Sequence, residues 1–232
     1  KVDQIPPGVN RDEASIGYNA YSVIKTGGDE YGEFPLISQR GYDDWRRSTY
    51  LFLVTPFVAL FDSTVVAVRL PAAILSVLTV WATYNIVLYL FSKPSSFAKT
   101  TALLTALLLA ISFWHIYISR LGHESNACLS FLVFGILFFL QGLKNKKRIF
   151  LSIIFLVLSM ISYYSGQVLI PLLVIGLFFI FRKNILSVIS DKKNLIAFVI
   201  ILILIIPVVW SIFSPQALVR FQGTSTFKPE AH

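Results

Sequence analysis

Three groups of side chains in this chain have the types and spacing to do chemistry. The first is the adjacent pair Asp12 and Glu13 in NRDEASIGYNAY (10–21). A carboxylate can take a proton from a hydroxyl as a general base. The same acids also suit the first turn of a helix, where Asn10 with Glu13 forms a capping box and negative charge complements the helix dipole. The second group is DDWRR (43–47), which sets Arg46 and Arg47 just before an apolar run. A guanidinium there can grip a phosphate through two parallel hydrogen bonds, or simply anchor the chain at a membrane surface. The third is SRLGHES (119–125), which gathers Arg120, His123 and Glu124. Ionisable groups at a membrane edge tend to be functional; the plainer alternative is that Arg120 snorkels and Glu124 caps the next segment. His123 and Glu124 could join a distant carboxylate around a metal, but no His-x-x-x-His spacing defines such a site. His115, near the end of its apolar segment, reads as a hydrogen-bonded packing residue.

The elements that must position these groups follow from composition. Of 232 residues, 56% are hydrophobic and 14% charged, with a mean hydropathy of +0.72. Soluble domains carry about 25% charge, so an all-α, polytopic transmembrane helix bundle is predicted. Residues 70–92, 100–119, 125–143 and 195–213 each read as a span, since about 20 apolar residues cross a bilayer. The uncharged stretch 149–181 is too long for one, and SYYSGQ (162–167) with Pro171 divides it into two short spans. About six spans are thus expected over 69–213, with 214–232 opening a further outer loop. Residues 49–61, with a central Pro56, are too short to cross and suit an interfacial helix, placed within 48–62. Ahead of it, 1–47 forms an outer loop carrying one amphipathic helix: Ile16, Ala20, Val23 and Ile24 share a face, Gly27 is a C-cap, and turns follow. Because the chain opens on Lys1 and stops in a polar tail, it is expected to be part of a longer one. Cys128 is the single cysteine, so no disulfide framework or CxxC metal site exists, and phosphate-binding Gly-rich loops are absent.

The formal net charge of +8 is a topology signal rather than a sign of nucleic-acid binding. If 49–61 stays at the surface, loops 93–99, 144–148 and 182–193 share one side, with ten Lys or Arg against one acid, Asp191. The other side has seven cations and nine acids in residues 1–69, one of each in 120–124, and two cations with one acid in the tail. Positive charge belongs on the cytoplasmic side, which puts Asp12, Glu13, Arg46, Arg120, His123 and Glu124 together on the outer face. Tyr18, Tyr21, Tyr31, Tyr42 and Tyr50 add surfaces on which a sugar could stack, although tyrosine also belongs at any membrane interface.

Taken in order, PPGVNRDEASIGYNAYSVIKTG, DDWRRSTYLFLVTPFVALF, VRLPAAILSVLTVWATY, ISRLGHESN and SYYSGQVLIP resemble the GT-C superfamily of membrane glycosyltransferases, in its protein O-mannosyltransferase and aminoarabinose-transferase-like branch. The resemblance implies a polyprenyl-phosphate-linked sugar donor, a lipid, protein or glycan acceptor, inversion at the anomeric carbon, and an active site on the extracytoplasmic face of the plasma membrane. It gives Asp12 the role of base, with Glu13 positioning it or the acceptor, and makes Arg120, His123 and Glu124 further polar contacts. Where relatives carry Lys-Pro-Pro before the interfacial helix, this chain has Arg46, Arg47 and Ser48: the charge that would meet the lipid phosphate survives, the prolines do not. Some relatives hold a divalent metal ion, and the residues here leave that cofactor open. A transporter or flippase of lipid-linked sugars is the competing reading. It predicts charges or paired helix breaks within the spans, whereas the ionisable groups here sit at the ends.

Overall fold

The computed structural model describes residues 3–6, 8–42, 44–91 and 95–189. Eight helices and one hairpin are present among them. Helix α1 (Arg11–Thr26) starts at Asn10, whose side chain and that of Glu13 close the capping box, and ends at Gly27 with φ +81°, where a side chain would be strained. Strands β1 (Ser38–Gly41) and β2 (Asp44–Arg47) pair antiparallel, with Gln39 opposite Arg46. Then come α2 (Thr49–Phe61), α3 (Val65–Leu90), α4 (Ser96–Ile111), α5 (Phe113–Ser119), α6 (Glu124–Gly142), α7 (Arg148–Ser162) and α8 (Tyr164–Ile189).

The first two helices share a core with the spans. Ile16 and Ala20 of α1, Tyr50, Val54 and Val58 of α2, Ala67, Val68 and Ala72 of α3, and Ala127 and Phe131 of α6 form one buried cluster. Burial of a large apolar side chain is worth about 1.5–3 kcal/mol, so this cluster clamps the N-terminal segment to the bundle. Tyr50 is among its members and donates its hydroxyl hydrogen to the Val68 carbonyl at 2.7 Å. It is therefore no sugar-stacking surface, unlike the exposed Tyr18, Tyr21, Tyr31 and Tyr42. Ile24 is also exposed, so the apolar face of α1 ends a turn earlier than its spacing predicts.

Within the bundle α3 and α6 are joined by side chains that can pair without water: Ser76 with Asn126 at 3.1 Å and Thr79 with Ser130 at 2.9 Å. Among the described residues α3, α6 and α8 are long and apolar enough to cross a membrane. The predicted 100–119 span is not one straight helix: α4 and α5 are together apolar and long enough to cross but meet at a 60° bend. Ser112 adopts an extended backbone there (ψ 125°), and His115 holds α5 against α3 through the Ser76 carbonyl at 3.3 Å. The 149–181 stretch divides at Tyr163, within SYYSGQ as expected, and α7 is a short apolar helix of 15 residues. The span expected at 195–213 and the loop expected from 214 lie outside the described residues. The hairpin was not expected. Its four-residue strands carry arginines where an alternating apolar pattern would mark a strand.

Candidate active site

The two adjacent acids go separate ways. Glu13 is turned inward and is 1% exposed. Its Oε1 accepts from Arg69 Nε at 2.7 Å and from the Gly122 amide at 2.9 Å. Its Oε2 accepts from Arg69 Nη2 at 2.8 Å and from the Asn10 amide at 3.0 Å. Arg69, fully buried, also donates to the carbonyls of Pro6 and Gly8 at 2.9 and 2.7 Å. Burial alone would disfavour the charged carboxylate. The Arg69 bond and the two amides outweigh it and hold Glu13 below the usual carboxylate range. Residue 122 must be glycine for this approach, because a Cβ there would press on the Val68 side chain and backbone. One buried pair thus ties together the start of the chain, α1, the head of α3 and the 120–123 loop. Glu13 faces this framework rather than any opening, so what it can position is Asp12.

Asp12 faces the other way, with 32% of its side chain exposed. Its Oδ1 meets Arg46 Nη2 at 2.7 Å and its Oδ2 meets His123 Nε2 at 3.3 Å. His123 is the N-cap of α6, a place the sequence offered to Glu124. Its Nδ1 accepts from the Ser125 amide at 3.1 Å, so a neutral imidazole carries its proton on Nε2, aimed at Asp12. Glu124 is buried with Oε2 at 3.5 Å from His123 Nδ1, and the Tyr163 ring stands edge-on to the imidazole with centroids 5.8 Å apart. The hairpin supplies Arg46 on the face it shares with Gln39. On the opposite face Arg47 lies 4.8 Å over the Tyr164 ring and donates to Ser38 Oγ at 3.2 Å. Tyr164 in turn donates to the Trp45 carbonyl at 3.1 Å, so the SYYSGQ break is pinned to the hairpin that carries Arg46.

The structure therefore brings Asp12, Arg46, His123 and Glu124 into one cluster. Arg120 does not join it: it is exposed and lines a separate cavity beside His115. Arg69 is the residue that sequence reasoning missed. The one signal available was a lone cation ahead of Leu-Pro inside an apolar segment, VRLPAA. No group of three or more His, Cys, Asp or Glu among the described residues stands in metal-binding geometry. Both Asp12 oxygens are already met by N–H donors, a poor setting for a divalent cation. Chemically, the cluster combines an acceptor of protons with a cation suited to a phosphate.

The family model of dolichyl-phosphate-mannose-protein mannosyltransferases matches residues 49–210. The chain belongs to this family. Membership makes it an integral membrane glycosyltransferase of the GT-C type that draws on a lipid-linked sugar donor, and it displaces the transporter reading. Arg120, His123 and Glu124 fall within the matched residues, whereas Asp12, Glu13 and Arg46 precede them. No curated protein and no solved structure matches the chain.

Proposed function

We propose that this glycosyltransferase moves a sugar from a polyprenyl-phosphate donor to an acceptor hydroxyl on the extracytoplasmic face, with inversion and with Asp12 as general base. The single observation that carries this reading is the partly exposed Asp12 carboxylate held by Arg46 and His123. Asp12 takes the proton from the acceptor hydroxyl as the oxygen attacks the anomeric carbon. The bond from that carbon to the phosphate oxygen breaks, and the leaving phosphate keeps the electron pair. Arg46 stabilises that growing charge, since donors aimed where charge develops lower the barrier most. His123 orients Asp12 through Nε2–H. Arg69 and Glu13 fix the backbone of both outer loops, so that base and cation stay in register with the membrane surface where the lipid donor diffuses.

The test uses the full-length protein in liposomes with polyprenyl-phosphate mannose and a hydroxyl acceptor. Transfer with an anomeric configuration opposite to the donor's is expected; retained configuration, or no transfer to any hydroxyl acceptor, contradicts the reading. Sidedness has its own test, motivated by the charge asymmetry of the loops. In a Cys128→Ser background, Glu30→Cys and Lys146→Cys should label from opposite faces, and labelling from the same face would reverse the assignment.

A further inference from the structure

A second outer-face feature lies apart from the Asp12 cluster. Helices α3, α4 and α5 enclose a cavity of about 290 Å³, lined by Ala73, Ser76, Val77, Val80, Ala110, His115, Ile116, Ser119 and Arg120. Its walls are mostly small or branched apolar side chains, and Arg120 stands at one end. Arg120 is exposed, its amide donates to the Tyr117 carbonyl at 3.3 Å, and its guanidinium has no hydrogen bond or ion pair among the described residues. The depth of this end is marked by its neighbours. Phe113, Trp114 and Tyr117 are 72%, 72% and 50% exposed, and aromatic residues displayed on a membrane helix belong at headgroup level. A guanidinium at that depth that meets no acid among the described residues is suited by its planar fork to a phosphate.

We infer that this groove binds an anionic glycerophospholipid, with its headgroup phosphate on Arg120 and one acyl chain along Val77, Val80 and Ala110. The volume supports a single chain segment. At about 30 Å³ for a water-sized group, 290 Å³ admits roughly ten methylene-sized groups. With the donor's phosphate assigned to Arg46 under the proposed function, a separate arginine beside an apolar groove suits a bulk membrane lipid rather than the polyprenyl donor. His115 forms the floor, its Nε2 engaged with the Ser76 carbonyl of α3. The cavity lies at the bend, between Ala110 at the end of α4 and His115 on α5.

The experiment is native mass spectrometry of the full-length protein released from detergent containing equimolar phosphatidylglycerol and phosphatidylcholine. Wild type should retain phosphatidylglycerol in preference, by roughly fivefold, because the choline cation of phosphatidylcholine offsets its phosphate and the glycerol headgroup does not. Arg120→Gln should abolish the preference with an unchanged melting temperature, as its exposed side chain leaves the fold intact. Ala110→Phe, which fills the slot but keeps the charge, should lower retention of both lipids. Equal phosphatidylglycerol preference in wild type and Arg120→Gln overturns the proposal. Displacement of phosphatidylglycerol by equimolar polyprenyl phosphate overturns the choice of occupant and gives the groove to the donor's lipid class.

Discussion

Around Glu13 the protein is closed; around Asp12 it is open. The two side chains are 1% and 32% exposed and are paired with Arg69 and Arg46 respectively. Consecutive residues on a helix point about 100° apart, so a pair of acids at the start of α1 cannot share one environment. One carboxylate is spent on the framework and the other is presented to the surface. The sealed region holds the loops in place and the open one keeps a carboxylate edge accessible. A single acid could not do both, because a carboxylate whose four lone-pair sites are met by four N–H groups has none to offer a hydroxyl.

The largest effect expected from breaking this division is at Arg69. Arg69→Met leaves the Glu13 charge buried without its partner, and loss of one member of a buried pair costs about 3–5 kcal/mol. Thermal unfolding should show that loss, and the double variant with Glu13→Gln should recover much of it. If the single variant melts like wild type, the sealed region is not the framework described here. The pH response sharpens the same point. Glu13 titrates below its ordinary value of 4.5 in the folded protein. Its contribution to stability is therefore fully present above that value and is lost as pH falls through the lowered one. Wild type should keep its melting temperature down to that range and lose it on further acidification, while Glu13→Gln lacks this acid limb.

A smaller effect is expected at the open cluster. Arg46→Ala removes a charged hydrogen-bond donor worth about 1.5–3 kcal/mol, and should raise KM for the lipid donor more than for the acceptor. Unchanged donor kinetics would separate Arg46 from the phosphate. Smallest is Asn10→Ala, which removes the cap of α1 at a cost of about 1 kcal/mol. It should lower the melting temperature slightly while leaving KM for the donor alone.

Local features were legible in the sequence. The capping box at Asn10 and Glu13, the Gly27 cap, the short helix over 49–61 and the break within SYYSGQ all follow from nearest-neighbour chemistry, and the structure has each of them. Membrane-span length made the bundle readable for the same reason. What escaped is non-local. The Glu13–Arg69 pair joins residues 56 apart in sequence, and no spacing rule marks it. Likewise His123 reaches Asp12 only because Gly122 lets its loop close on α3. The bend at Ser112 carries no proline or glycine to announce it, and the hairpin 38–47 has too few apolar residues to show a period. Arg120, grouped with His123 by proximity in sequence, is turned to the other side by the end of α5.

Asp12 acts chemically while its neighbour acts structurally, and the sugar-transfer rate of the full-length Asp12→Asn protein separates the two roles. Asparagine keeps the size and polarity of the side chain but cannot take the acceptor's proton. Loss of a general base costs about 10²- to 10⁴-fold in rate, whereas loss of a first-turn acid costs only about 0.3–1 kcal/mol of helix stability. The Asp12→Asn protein should express and melt close to wild type but transfer sugar at least about a hundredfold more slowly, as that range requires. Near-normal transfer by Asp12→Asn would contradict it and leave both acids as parts of the fold.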